Sequence, residues 1–115
     1  MTVTIYHNPR CSKSRQTLEL LRGRGVEPTI VEYLKDPPSA KRLGELLDLL
    51  GQEPRALMRK GEAPYKDLNL ADPGLSRAAL IEAMAEHPIL IERPIVVKGA
   101  KAALGRPPEA VLDIL

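Results

Sequence analysis

A short β-run that passes straight into a helical pattern constrains this chain before anything else does. Val3 to Tyr6 alternates branched apolar residues with threonine, the pattern of a strand. Ser12 to Leu21 follows as a helix, stopped by Gly23 and Gly25, with Leu18 and Leu21 as the apolar pair on its core face. Thr29 to Tyr33, carrying Ile30 and Val31, is a second β-rich run. A helix between two such strands reads as a parallel crossover with a right-handed connection. At the first strand-to-helix junction it exposes unpaired backbone N–H groups and the positive end of the helix dipole.

The remaining elements extend that unit. Pro37-Pro38-Ser39 opens a helix through Leu50, with Ala40, Leu43, Leu46, Leu47 and Leu50 on one face and Gly51 closing it. Pro54 begins a short helical segment containing Leu57 and Met58. The stretch Gly61 to Gly74, holding Pro64 and Pro73, reads as irregular and exposed. Leu75-Ser76 starts a helix with Leu80, Ala83 and Met84 inward, stopped by His87-Pro88. Ile95-Val96-Val97 is the most strand-like run, and after the turn signal Lys98-Gly99 the segment Ala102 to Leu104 returns as a short antiparallel edge strand. Pro107-Pro108 begins a last helix, with Ala110, Val111, Ile114 and Leu115 available for packing. The order βαβ, helical insert, ββα predicts an α/β protein: a thioredoxin-like mixed sheet with a helical insert between the second and third strands. No internal repeat or linker is visible, so residues 1–115 are read as a single domain.

A chain of 115 residues can bury about 65% of its unfolded surface. With no Trp and no Phe the core must be aliphatic, and three Tyr offer no stacking platform for single-stranded nucleic acid. A net charge of +2 is too small to indicate nucleic acid or an anionic membrane. No stretch approaches the roughly 20 apolar residues of a membrane span. Residues 1–6 read as a strand rather than as a signal peptide, so the expected location is cytoplasmic. A single cysteine cannot form an intramolecular disulfide, and a reducing compartment keeps it available as a thiol.

That cysteine, Cys11, sits at the strand-to-helix junction within His7-Asn8-Pro9-Arg10-Cys11-Ser12-Lys13-Ser14-Arg15. A cysteine at a helix N-terminus loses its proton more easily than a free one, and Arg10, Lys13 and Arg15 add positive potential. The same stretch supplies a pocket for an oxyanion. The bland alternative is a small buried hydrophobe, but core cysteines are seldom flanked by three cations and a proline. His7 stands either to polarise Cys11 or to cap the strand end. Ser14, three residues on, either hydrogen-bonds the thiolate or serves the first helical turn. His87 precedes Pro88 and reads as a helix-end residue. No spacing of His, Cys, Asp or Glu suggests a metal site. Thr17 stands six positions after Cys11, where a phosphatase-type loop would carry arginine.

The chain resembles the glutaredoxin-coupled arsenate reductases. The resemblance lies in His7 to Ser14, Leu57-Met58-Arg59-Lys60, Tyr65-Lys66-Asp67-Leu68-Asn69-Leu70, His87 to Val97 and Gly105-Arg106-Pro107-Pro108, in family order over nearly the whole length. It implies that Cys11 attacks arsenate and that Arg59, Arg93 and Arg106 hold the oxyanion and its products. It places Pro94 where thioredoxin-like folds carry a cis proline facing the active cysteine. It implies no bound cofactor, with glutathione as co-substrate and glutaredoxin as the protein that resolves a Cys11–glutathione mixed disulfide. Arginine suits the task because its planar fork stays charged and can hold two oxygens of a tetrahedral anion. The external thiol also follows from the residues alone, because a lone cysteine has no partner within the chain to resolve it. Two rivals stand beside this reading. One is a monothiol redox enzyme acting on another substrate; the other is an RNA-polymerase-binding regulator of the same fold family.

Overall fold

The computed structural model describes residues 2–91, 94–105 and 107–115. It holds a four-stranded mixed sheet in the order β2-β1-β3-β4, built from β1 (Val3–His7), β2 (Thr29–Glu32), β3 (Ile95–Lys98) and β4 (Lys101–Leu104). β1 runs parallel to β2, with Ile5 opposite Ile30, and antiparallel to β3, with Ile5 opposite Val96. β3 and β4 form a hairpin in which Val96 faces Ala103. The expected strand-helix-strand opening is present, with α1 (Ser12–Gly23) between β1 and β2. The elements between β2 and β3 are all helical, the expected insert.

The chain divides into two compact units. The first, residues 1–36 and 93–115, contains the sheet and α1. Its core gathers Val3, Ile5, Leu21, Val96 and Val111, with Leu18, Val26 and Ile114 packed around them. Burying side chains of this size stabilises the fold by about 1.5–3 kcal/mol each. The inner face of α1 differs from the expected apolar pair. Ser14, Thr17 and Leu21 are the buried residues, while Leu18 is only half-buried. Two polar residues can face inward there because each has a specific partner, described below. The closing segment Pro108–Ile114 is a 3₁₀ helix, not an α-helix, with Val111 fully buried.

The second unit, residues 37–92, holds α2 (Ala40–Leu50), α3 (Ala63–Asp67) and α4 (Arg77–Glu86). Ser39 caps α2 by accepting from the Arg42 N–H, and Ser76 caps α4 by accepting from the Ala79 N–H, satisfying donors that helix starts leave open. Gly51 ends α2 in the left-handed region at φ 65°, a conformation glycine adopts without a Cβ penalty. α2 packs on α4, its buried Leu43, Leu46 and Leu47 sharing the unit's core with Leu80, Ile81 and Met84. Arg77 of α4 reaches across to Asp48 of α2 at 2.8 Å. The 61–74 stretch is less irregular than expected. α3 forms there with Pro64 in its first turn, a position that suits proline because the missing N–H would be unpaired anyway. Arg55, in the 3₁₀ turn Pro54–Leu57, pins the chain beyond α3 by donating to the carbonyls of Leu70 and Asp72.

Candidate active site

Cys11 is the N-cap of α1. Its backbone is extended, at φ −94° and ψ 124°, and its carbonyl accepts the first helical bond from the Arg15 N–H at 3.0 Å. The loop that delivers it is closed by Asn8. The Asn8 carbonyl accepts from the Cys11 N–H at 3.0 Å, and the Asn8 side-chain oxygen accepts from the Arg10 N–H at 3.0 Å. Asparagine suits such a turn because its short side chain mimics a backbone acceptor. Arg15 braces the same loop from the helix, its Nη1 donating to the Pro9 carbonyl at 2.8 Å. The Cys11 side chain makes no capping bond to the helix, and no acidic residue stands in the first turn of α1. The positive helix end is therefore not neutralised by its own first turn, which favours a negative charge beside it.

His7 ends β1 and is buried, with its Nδ1 2.6 Å from the Ser14 hydroxyl. Ser14, fully buried, also accepts from the Asn8 N–H at 3.0 Å. Burial pushes the His7 pKa below 6.5, with Arg15 and Arg22 acting in the same direction and Glu32 opposing them. A neutral imidazole is the result near pH 7. His7, Asn8, Cys11 and Ser14 thus form one network at the strand-helix junction.

One helical turn further along α1, Thr17 donates to the Lys13 carbonyl at 2.8 Å, and its hydroxyl and the Pro94 ring both close off the space beside the Gly105 Cα. Pro94 is buried, and its carbonyl accepts from the Gly105 N–H at 2.9 Å. A Cβ on Gly105 would stand 2.5 Å from the Pro94 ring, closer than real contacts allow, so only glycine fits. Arg93 and Arg106, the sequence neighbours of this pair, lie outside the described residues.

Arg59 belongs to the second unit, where the Leu90 carbonyl accepts from its backbone N–H at 2.7 Å beside the Met58–Ile91 bridge. Its Nη1 lies 3.7 Å from Glu62. Its Nε is buried and has no hydrogen-bond partner among the described residues. Buried donors are nearly always paired, so an orphaned one signals a missing acceptor. Among the described residues no group of three His, Cys, Asp or Glu side chains converges as metal ligands do, and no helix is long and apolar enough to cross a membrane.

Comparison with known proteins gives this arrangement its context. The ArsC family model matches residues 6–114. The chain belongs to the ArsC family. It is 59% identical to the uncharacterised protein YfgD of Escherichia coli over 98% of this chain and 96% of that protein. It is 51% identical to an arsenate reductase of Haemophilus influenzae, covering the whole of both chains. Among solved structures, an arsenate reductase from Vibrio cholerae superposes with a TM-score of 0.97 at 57% identity, over 100% of this chain and 98% of the other.

Within this ArsC protein, sequence reasoning singled out Cys11, His7 and Ser14, and they meet at one junction. It missed Asn8 as the residue that closes the loop, although Asn before Pro is itself a turn signal. It took Arg15 only as a positive charge, where the structure also shows a brace on Pro9. It named Thr17 only as the absence of a phosphatase-type arginine and Gly105 only as part of a motif, because their close fit depends on pieces of chain far apart in sequence.

Proposed function

We propose that this protein reduces arsenate to arsenite through the thiolate of Cys11, with Arg59, Arg93 and Arg106 holding the oxyanion. The observation that carries the oxyanion reading is the buried Nε of Arg59, which has no partner among the described residues and which a tetrahedral anion would satisfy. Full-length relatives named arsenate reductase support the choice of anion. Cys11 at an unneutralised helix start supports its role as nucleophile.

The chemistry balances with two external thiols. The Cys11 thiolate attacks arsenic, forming a sulfur–arsenic bond as one protonated oxygen leaves as water. Glutathione thiolate then attacks the Cys11 sulfur. The sulfur–arsenic bond breaks, its electron pair reduces arsenic from the pentavalent to the trivalent state, and arsenite departs. Cys11 is left in a mixed disulfide with glutathione, which glutaredoxin resolves by thiol exchange, restoring the thiolate. His7 and Ser14 anchor the loop that carries Cys11 through the Asn8 N–H, and Pro94 crowds the space at Gly105 together with Thr17 of α1. No bound cofactor enters these steps, and the chemistry suits the reducing cytoplasm.

The test is arsenite production by the purified protein supplied with arsenate, glutathione and glutaredoxin. Activity is expected to require glutathione, to rise with glutaredoxin and to vanish in Cys11→Ser, and a glutathione adduct on Cys11 should accumulate when glutaredoxin is withheld. Full activity of Cys11→Ser, or sustained turnover without an added thiol, would overturn the mechanism.

A further inference from the structure

Two sizeable cavities of the sheet unit are not lined by the cysteine loop. One of about 650 Å³ opens beside Thr2 and Val3 at the start of β1, and one of about 510 Å³ beside Gly23 and Arg24 at the end of α1. A smaller groove, about 160 Å³, lies instead against the cysteine loop, lined by Asn8, Pro9, Arg10, Glu32, Leu34 and Lys35. It joins the loop before Cys11 to the end of β2 and the turn that follows.

We propose that this groove receives the glutathionyl group carried by Cys11, a reading that rests on the thiol relay above. The match is one of charge and of reach. Glutathione bears two carboxylates and one ammonium group; the groove offers two cations, Arg10 and Lys35, and one carboxylate, Glu32, the last two in a loose exposed pair at 3.9 Å that a ligand's charges can exchange with. Leu34, exposed although apolar, and Pro9 supply a surface for the methylene groups between those charges. Arg10 directly precedes Cys11, about 3.8 Å away along the backbone, and two residues of an extended peptide span about 7 Å. A tripeptide fixed to the Cys11 sulfur therefore has the length to reach the groove beside the preceding residue. The groove is below the roughly 300–1,000 Å³ of pockets that hold free ligands by shape. Such a site suits a tethered ligand, because the disulfide supplies the effective concentration that a shallow groove alone would not.

The experiment follows thiol exchange at Cys11 without arsenate, so its outcome is separable from that of the arsenate assay. With glutathione disulfide, the Cys11 thiolate attacks one sulfur, a new disulfide forms, and one glutathione leaves as thiolate. The rate is measured against that with hydroxyethyl disulfide, a small uncharged probe. Lys35→Glu is expected to slow exchange with glutathione disulfide by roughly three- to tenfold, as loss of an exposed ion pair and its reversal allow. Leu34→Trp, which changes no charge and fills the groove, is expected to slow it likewise. Both variants should react with hydroxyethyl disulfide as the parent does. Equal slowing with both disulfides would mean the substitutions act on the thiolate, and no slowing with either would mean the groove is unused; each result overturns the proposal. If exchange behaves as expected while arsenate is not reduced with any thiol, the groove stands and the choice of arsenate falls.

Discussion

His7 Nδ1 and the Ser14 hydroxyl meet at 2.6 Å, joining the last residue of β1 to the first turn of α1 beneath the cysteine loop. Both groups are buried, so each relies on the other where water is absent. The same hydroxyl accepts from the Asn8 N–H, which couples the helix, the strand and the loop through one oxygen atom.

Replacing that oxygen tests the coupling. Ser14→Ala leaves the His7 ring nitrogen and the Asn8 N–H without their partner, and should cost about 1–3 kcal/mol in urea unfolding. In the same variant the Cys11 thiolate, followed by its ultraviolet absorbance against pH, should form at higher pH than in the parent. The parent midpoint is expected below the free-thiol value of about 8.5. A parent midpoint at or above that value would sink the activated-thiol reading.

Acid should weaken the fold through His7. Its pKa is lowered in the folded protein, chiefly by burial, below the value of 6.5 it takes when exposed. Between those two values the unfolded chain binds a proton that the folded one does not, so stability rises with pH there. The His7 contribution is complete above 6.5 and is lost as pH falls through the folded pKa. Urea midpoints recorded from pH 7.5 downward should therefore fall more steeply for the parent than for His7→Asn, which has no proton to gain. Parallel curves would remove His7 from the acid response.

Gly105 has no room for a methyl group. Gly105→Ala places a carbon 2.5 Å from the Pro94 ring and forces the hairpin away from α1, which overpacking elsewhere suggests costs about 1–3 kcal/mol. The midpoint of urea denaturation measures it. A variant as stable as the parent would show that the hairpin yields freely at this point.

Arg59 should separate stability from turnover. Arg59→Met removes a buried donor that has no partner among the described residues, together with an ion pair to Glu62 worth at most about 1 kcal/mol. Its thermal midpoint should match or exceed the parent's. Its kcat for arsenate should fall by about a hundredfold or more, the scale of a lost oxyanion donor. Loss of stability with unchanged kcat would return Arg59 to a structural role.

The alternation in Val3 to Tyr6, the serines before α2 and α4 and the glycine after α2 could be read directly, because each is a local preference expressed within a few residues. Cys11 at a helix start was legible for the same reason. The inward turn of Ser14 and Thr17 was not, since a buried hydroxyl is admitted only by partners that folding brings to it. α3 was hidden by its brevity: five residues beginning Ala63-Pro64 are too few to show a period. The last helix tightened to 3₁₀, a choice between hydrogen-bond spacings that apolar residues at 110, 111, 114 and 115 do not decide. The Arg59 nitrogen without a partner among the described residues is a consequence of burial, which no local pattern announces.

The pairing of Val3 with Lys98 has a consequence for how this chain is made. β1 sits in the middle of the sheet, yet one of its two neighbours, β3, lies far along the chain, beyond the whole helical insert. During synthesis the first strand, its helix and β2 can assemble early, and the helical insert can follow. The central strand keeps one hydrogen-bonding edge open until β3 and β4 have left the ribosome. Pairing across so long a separation is slow, and an open edge in the meantime is where a nascent chain is exposed to wrong partners.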